Sequence, residues 1–464
     1  MKKLIWGFAL TACLLGVAQA ANPIVRIPNN AENWKLLHDL RIDYMARTPE
    51  GIDIVLDGPT RLKLQTQRAR SLNVLRSSVE IMPDAESQFR EVLDETRNSS
   101  PSGIYHTYEE MKEALDQAVA AMPDKIKLFE AGKTSEGRSI WGVEIKNPGT
   151  SGEKPSYLVL GSHHAREWIS VEAPLYFIRD LVENYGKDAE ATKLVDTSVI
   201  VIVPMLNVDG TIFSHKSQPM WRKNRNKNEN GTIGVDNNRN YSYKWGVSGA
   251  SSWAGSDTYM GPCAMSEAEN QAVRALADKY GFVAAVSFHS YSDLILWPWS
   301  YTDKIKAKDD SILRKHGTEM GKIMGYRPIQ SSELYPAAGD TDDFLYGEYG
   351  ILSYTVELGS RFVPREAEYR EIVKNAPKML RYLFGTFREP LAKQVQAENY
   401  AIRQILEKVV YHKINPESLD SLSLYSKASI QGAMNDLDMD SLLQTQIMKA
   451  LEHKETFSQL PQAQ

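Results

Sequence analysis

Between residues 22 and 98, apolar and polar positions switch over short distances. Ile24-Val25-Arg26-Ile27 predicts a strand, and Glu32 to Leu40 spaces its apolar residues as a helix does. Ile52 to Leu56 and Leu62 to Gln65 predict two strands joined at Asp57-Gly58-Pro59, Ala69 to Ser77 a second helix, and Val79-Glu80-Ile81-Met82 a last strand. The order strand-helix-strand-strand-helix-strand is the ferredoxin-like split. A polar helix with Glu86, Arg90, Glu91, Asp94 and Glu95 follows, and Arg97 to Gly103 has the composition of a protease-accessible linker.

From Tyr105 the elements lengthen. Thr107 ahead of Glu109-Glu110 predicts a helix start, with Met122-Pro123 as its end. Trp141 to Ile145, Tyr157 to Leu160, Val199 to Val203, Ala284 to Ser287 and Ser353 to Val356 are short apolar runs, most of them separated by helical patterns such as Val171 to Tyr185. That alternation predicts an α/β fold with a mixed, mostly parallel central sheet flanked by helices. Asn207-Val208-Asp209-Gly210 reads as a tight turn at a strand end. The unit closes near Phe387, and beyond it Ile402, Ile405, Leu406 and Val409 share one helical face. The expected organisation is a leader at 1–20, a small α+β domain and linker at 21–100, an α/β domain at 101–390 and a helical tail at 391–464.

The leader is read from Lys2-Lys3, the apolar run Leu4 to Val17 and Ala18-Gln19-Ala20, the pattern of a signal peptide. Leu10-Thr11-Ala12-Cys13 also resembles a lipoprotein-processing box, so lipid anchoring at Cys13 is the alternative to cleavage after Ala20. Secretion or periplasmic export follows from either. No other apolar run approaches the ~20 residues of a membrane span. Removal of the leader leaves Cys263 as the single cysteine, which excludes an intrachain disulfide and reads as a packed thiol. The net charge of -5, without a basic block, argues against nucleic acid as the partner.

The candidate chemistry centres on Gly161-Ser162-His163-His164-Ala165-Arg166-Glu167-Trp168, directly after an apolar strand. His164 and Glu167 are three apart, so one turn can aim an imidazole and a carboxylate at one point, two-thirds of a catalytic zinc site. His163 and Glu167 can share a face too, and spacing alone admits either histidine. His289, at the end of another apolar strand, is the candidate third ligand. Trp221-Arg222-Lys223-Asn224-Arg225 and Asp236-Asn237-Asn238-Arg239-Asn240 concentrate cations and amides suited to holding carboxylates. Glu357, at the end of an apolar strand, is either paired structurally or poised as a general base.

These segments, in this order from about Tyr105 to Phe387, resemble the zinc metallocarboxypeptidases of the carboxypeptidase A/B type. The likeness is carried by His-x-x-Glu-Trp, Trp-Arg-Lys-x-Arg, Val-Asp-x-Asn-Arg-Asn, His-Ser-Tyr-Ser and the late glutamate. It implies one Zn2+ held by His164, Glu167 and His289, with Asp236 orienting the first ligand histidine. It further implies that Asn238 and Arg239 bind a terminal carboxylate, that Tyr335 closes over it, and that Arg166 lines the entrance. Arg225 would stabilise the oxyanion and Glu357 would act as general base. Residues 22–98 are similar to the inhibitory pro-domain of such enzymes, which makes 97–103 the place for an activating protease. The implied partners are peptide or protein C-termini.

In relatives that cleave Lys or Arg, an aspartate stands at the pocket bottom just before an Asp-Trp pair. Here Asp342 precedes Asp343-Phe344, and Asp340 adds a second carboxylate, so C-terminal Lys or Arg is the expected preference; the bland alternative is that both face solvent or cap a helix. Two further readings compete: an enzyme trimming wall peptides that end in diaminopimelate, and a catalytically inactive binding module.

Overall fold

The computed structural model describes residues 22–387 except 41, 43, 45, 49–50, 67–76, 83, 97–102 and 153, and only scattered positions beyond. The leader with Cys13, most of the helix expected at Ala69 to Ser77, the linker up to residue 102 and most of the tail lie outside the described residues.

The first unit runs β1 (Ile24–Ile27), α1 (Ala31–Leu40), β2 (Ala46–Thr48), β3 (Gly51–Val55), α2 (Gly58–Gln65) and β4 (Val79–Met82), followed by α3 (Ser87–Thr96). Its strands lie in the order β2-β3-β1-β4, with β1 antiparallel to both neighbours. The ferredoxin-like arrangement is therefore present, but one strand was misplaced. Leu62 to Gln65 is helical, because Asp57 accepts a hydrogen bond from Thr60 N and Pro59 occupies the first turn. Asp-Gly-Pro is thus a helix start rather than a hairpin turn. The unit packs a small core of its own, including Ile27, Leu36, Ile52 and Ile54.

The second unit opens with α4 (Tyr108–Ala121), started by a capping box between Thr107 and Glu110. It continues through β5 (Ile126–Lys133), β6 (Ser139–Ile145), β7 (Ser156–Leu160), α5 (Ile169–Asn184), α6 (Ala189–Thr197), β8 (Val199–Val203) and α7 (Val208–Lys216). After a 3-10 turn at Asn237–Arg239 come α8 (Ala268–Tyr280), β9 (Ala284–His289), β10 (Leu294–Trp297), α9 (Asp310–Met324), β11 (Arg327–Gln330) and α10 (Ser331–Leu334). The last elements are α11 (Thr341–Tyr349), β12 (Leu352–Glu357) and α12 (Glu366–Thr386). Asn207 is not in a free-standing turn: its side chain accepts from Gly210 N and caps α7.

Eight strands form one sheet in the order β11-β10-β12-β9-β7-β8-β6-β5. The central pairs β12-β9, β9-β7 and β7-β8 are parallel, β10-β11 is parallel at one edge, and β10-β12, β6-β8 and β5-β6 are antiparallel. The central strands are buried on both faces, as continuous apolar runs require. Helices cover them through one large core that includes Phe177, Val286, Trp297 and Leu383. Each such fully buried side chain contributes about 1.5–3 kcal/mol. Cys263, expected to be packed, is exposed.

Candidate active site

The strand ends at the centre of the sheet collect the chemistry. After β7 the chain turns at Gly161, where a Cβ would run into the carbonyl oxygens of Ser170 and Pro204. Ser162 then takes a left-handed φ of 57°. His164 and Glu167 sit on one turn closed by Glu167 N donating to His164 O at 3.3 Å, just ahead of α5. His289 ends β9.

The three side chains meet. His164 Nδ1 lies 2.7 Å from Glu167 Oε1, His289 Nδ1 lies 3.0 Å from Glu167 Oε2, and the two ring nitrogens are 3.1 Å apart. One ligand atom from each falls within 4.8 Å of the others, and all three residues are buried. At its other nitrogen, His164 faces Asp236 Oδ1 at 3.1 Å. With Nε2–H donating to Asp236, the Nδ1 lone pair is directed at the common point, and two imidazole nitrogens with one carboxylate are the donor set of a catalytic zinc. The residues fit Zn2+. Burial opposes ionisation of Glu167, yet His164 and His289 outweigh it and hold the carboxyl well below its usual range. Asp236 is likewise held ionised against burial, chiefly by Arg222 and then His164.

Arg222, read from the sequence only as a member of the cationic cluster, is the arginine that stands at the ligand set where Arg225 was expected. Its Nε and Nη2 donate to Asp236 Oδ2 at 3.0 and 2.8 Å, and Nη1 stands 4.0 Å from Glu167 Oε1. Arg225 turns away instead. Its guanidinium lies 3.8 Å over the Phe213 ring and 4.9 Å from that of Trp221, with Glu136 3.9 Å off. Two aromatic faces compete for that cation, and they win.

Glu357 ends β12 in parallel register with His289 on β9, so base candidate and ligand stand side by side. Burial, then the charge of Glu167, raises its carboxyl well above the usual range, while Arg222 and Arg239 act in the opposite sense. Asp236 also starts the 3-10 turn, accepting from Asn238 N at 2.9 Å. Within that turn, Arg239 Nη1 donates to Asn238 O at 2.6 Å and Nε to Gly249 O at 2.9 Å, and the guanidinium lies 5.8 Å from the Tyr335 ring. Asn238 Oδ1 accepts from Thr341 N and Oγ1. Arg166 is buried, with Nη1 3.1 Å from Asp257 Oδ2 and its guanidinium 4.7 Å from the Phe362 ring.

The carboxylates of Asp340 and Asp342 separate. Asp340 is the N-cap of α11, accepting from Asp343 N at 3.0 Å, so for it the cap reading holds. Asp342 is 1% exposed; its Oδ2 has a 3.5 Å contact with Ser331 Oγ, and the Thr355 hydroxyl and backbone also favour its ionised form. Burial raises the Asp340 carboxyl to about 6. The Asp342 carboxyl is held well above its usual range, by burial and then by the charge of Asp340. Asp343 is spent on the backbone, accepting from Ser300 N and Tyr301 N, each at 2.8 Å.

The first unit reaches these residues. The Tyr44 ring meets Tyr335 edge-on at 5.3 Å, and Tyr291 OH donates to Asp53 Oδ2 at 3.4 Å. Asp53 is also gripped by Arg26 at 2.6 and 2.8 Å. Behind them Gln88 accepts from Phe362 N, and Glu91 pairs with Arg361 and Arg365.

A buried His/Glu/His centre at the strand ends of a mixed eight-stranded sheet, with an arginine and a glutamate alongside, defines a metallohydrolase. Residues 111–378 match the family model described as zinc carboxypeptidase, and the chain belongs to that family. It is 34% identical to human carboxypeptidase A1 over 262 residues, 55% of this chain and 62% of that relative's length. With human carboxypeptidase B it shares 33% over 288 residues, 59% of this chain and 68% of that one. Among solved structures, thrombin activatable fibrinolysis inhibitor superposes with a TM-score of 0.68 at 25% identity, covering 79% of this chain and 98% of its own. No helix among the described residues is long and apolar enough to cross a membrane.

Proposed function

We propose that the protein is an exported zinc carboxypeptidase that hydrolyses the last peptide bond of its substrates and prefers C-terminal Lys or Arg. The observation that carries this reading is the convergence of His164, Glu167 and His289 beside Glu357 and Arg222. Zn2+ held by the first three supplies Lewis acidity that brings the pKa of water towards ~7. Glu357 accepts the proton of the attacking water and delivers it to the leaving amine. Arg222 holds the negative charge that develops on the scissile carbonyl oxygen. Asn238 and Arg239 clamp the terminal carboxylate, Tyr335 closes over it and Arg166 lines the approach, which restricts cleavage to the last residue. Asp342 meets the side-chain cation, with Asp340 adding negative potential behind it.

The same reading makes 1–20 a signal peptide, 21–100 an inhibitory pro-domain with its linker, and 391–464 a separate helical extension. The contacts of Tyr44 with Tyr335 and of Asp53 with Tyr291 support inhibition by occupation of the mouth. An activating protease would cut within 97–103.

The test is a set of peptides ending in Lys, Arg, Leu or Phe, each as free acid and as C-terminal amide, with and without a zinc chelator. Release of Lys and Arg from the free acids, abolished by chelation, is expected. Full activity after exhaustive chelation, or equal cleavage of the amides, defeats the proposal.

A further inference from the structure

His163 has no part in the ligand set, yet it is fully buried and makes more side-chain contacts than packing demands. Its Nε2 lies 2.9 Å from Thr341 Oγ1 and 2.9 Å from Tyr241 OH, and its Nδ1 lies 3.1 Å from Ser287 Oγ. The ring stacks on that of His289 at 5.2 Å with 20° between the planes. It therefore joins three parts of the site: the wall behind a metal ligand, the first turn of α11 and the 3-10 turn.

The link to the 3-10 turn runs through Thr341. Its backbone N donates to Asn238 Oδ1 at 3.0 Å, and its hydroxyl donates to the same oxygen at 2.7 Å. A threonine hydroxyl has one proton, and Asn238 takes it. Towards His163 and Tyr241 the hydroxyl can then only accept; with Tyr241 OH hydrogen-bonded to Thr341, a bond from His163 places its proton on Nε2 and leaves Nδ1 to accept from Ser287. The chain of donors is His163 Nε2–H to Thr341 Oγ1–H to Asn238 Oδ1. With Oδ1 held against α11, the amide NH2 of Asn238 is turned the other way, the orientation needed to donate to a carboxylate.

We infer that His163 is a positioning residue for substrate binding, which through Thr341 locks the Asn238 amide with its NH2 facing the terminal carboxylate. The inference rests on the proposed role of Asn238.

The test compares wild type, Thr341→Val, Thr341→Ser, His163→Phe and the double variant His163→Phe/Thr341→Val on a Lys-terminated peptide, with zinc content measured for each. His163→Phe keeps a ring against His289 while removing both nitrogens. Thr341→Val and His163→Phe are each expected to raise KM about five- to tenfold, with little change in kcat and one zinc per chain retained. Their effects should not add in the double variant, and Thr341→Ser should restore wild-type KM. Wild-type KM in Thr341→Val overturns the inference, as does His163→Phe losing zinc and kcat with KM unchanged, since His163 would then only back the ligand. If His163→Phe does not fold, Thr341→Val against Thr341→Ser decides. Failure of the Asn238 role itself is read separately, from wild-type cleavage of the C-terminal amide as fast as the free acid.

Discussion

Asp342→Asn isolates the buried charge proposed to meet the substrate's side-chain cation. The carboxyl is 1% exposed and meets only neutral hydrogen-bonding groups, Ser331 at 3.5 Å and Thr355, with Asp340 as its charged neighbour. Thr355 and Ser331 favour its ionised form only in part, since burial and the charge of Asp340 outweigh them; on the proposed specificity, a lysine or arginine guest would supply the counter-charge. Breaking a buried ion pair by removing one partner costs about 3–5 kcal/mol. At about 1.36 kcal/mol per decade, kcat/KM for Lys- and Arg-terminated peptides should fall by about two to nearly four decades. The same change lifts the desolvation penalty on an apolar guest, so Leu-terminated peptides should improve by about tenfold. Asp340→Asn, which keeps the cap, should shift the ratio less. A second readout is stability. A carboxyl whose folded pKa is raised contributes stability below its unfolded pKa, near 3.8, and loses it as pH rises through the folded value. The variant should thus gain on the wild type in thermal unfolding as pH rises. A Lys-to-Leu ratio of kcat/KM unchanged within about threefold would refute the argument.

Arg222→Gln should lower kcat by about 3–4 kcal/mol, some two to three decades, whereas Arg225→Gln should leave kcat within about threefold; steady-state kinetics that rank them in reverse would restore Arg225 to the site. His106 Nδ1 lies 2.7 Å from the fully buried Glu172, whose charge raises the imidazole to about 9. Its contribution to stability is fully present below pH about 6.5 and lost as pH rises through about 9. Discounted for the third of the side chain that is exposed, it amounts to roughly 1–2 kcal/mol. Denaturant unfolding of wild type against His106→Asn should show that gap closing between pH 6 and 10, and a constant gap would refute the pairing.

The metal ligands were legible because each follows an apolar run that could only be a buried strand, and because the motifs recur in a fixed order. Choosing His164 over His163 needed the resemblance; the structure adds that His163 faces Thr341, Tyr241 and Ser287. Arg222 and Arg225 lie in an irregular loop without a period, and the rings of Phe213 and Trp221, which decide between them, converge only in the tertiary structure. Asp340 and Asp342 were indistinguishable as neighbours in a string, and only the backbone of α11 makes one the cap and leaves the other buried in the first turn. The edge strand β5 escaped notice because its burial does not alternate and its register breaks between Glu130 and Gly132. At four residues each, β10 and β11 are too short to show a period. Leu62 to Gln65 went to the wrong element because Asp-Gly-Pro suits both a turn and a helix start.

Six paired residues of β9 and β12, from Leu352 opposite Ala284 to Glu357 opposite His289, tie the general base candidate to a metal ligand. Adjacent strands stand about 4.8 Å apart wherever such a ladder forms, so this spacing is a property of the sheet rather than of any side chain. Tyr335, Asp340 and the 3-10 turn hang on loops and short helix ends instead. On the proposed assignment, chemistry and selectivity thus sit on parts of unequal stiffness. Substitutions in the loops can retune which side chain is accepted while the reacting groups keep their separation, and that division leaves the fold free to change substrates without rebuilding its catalyst.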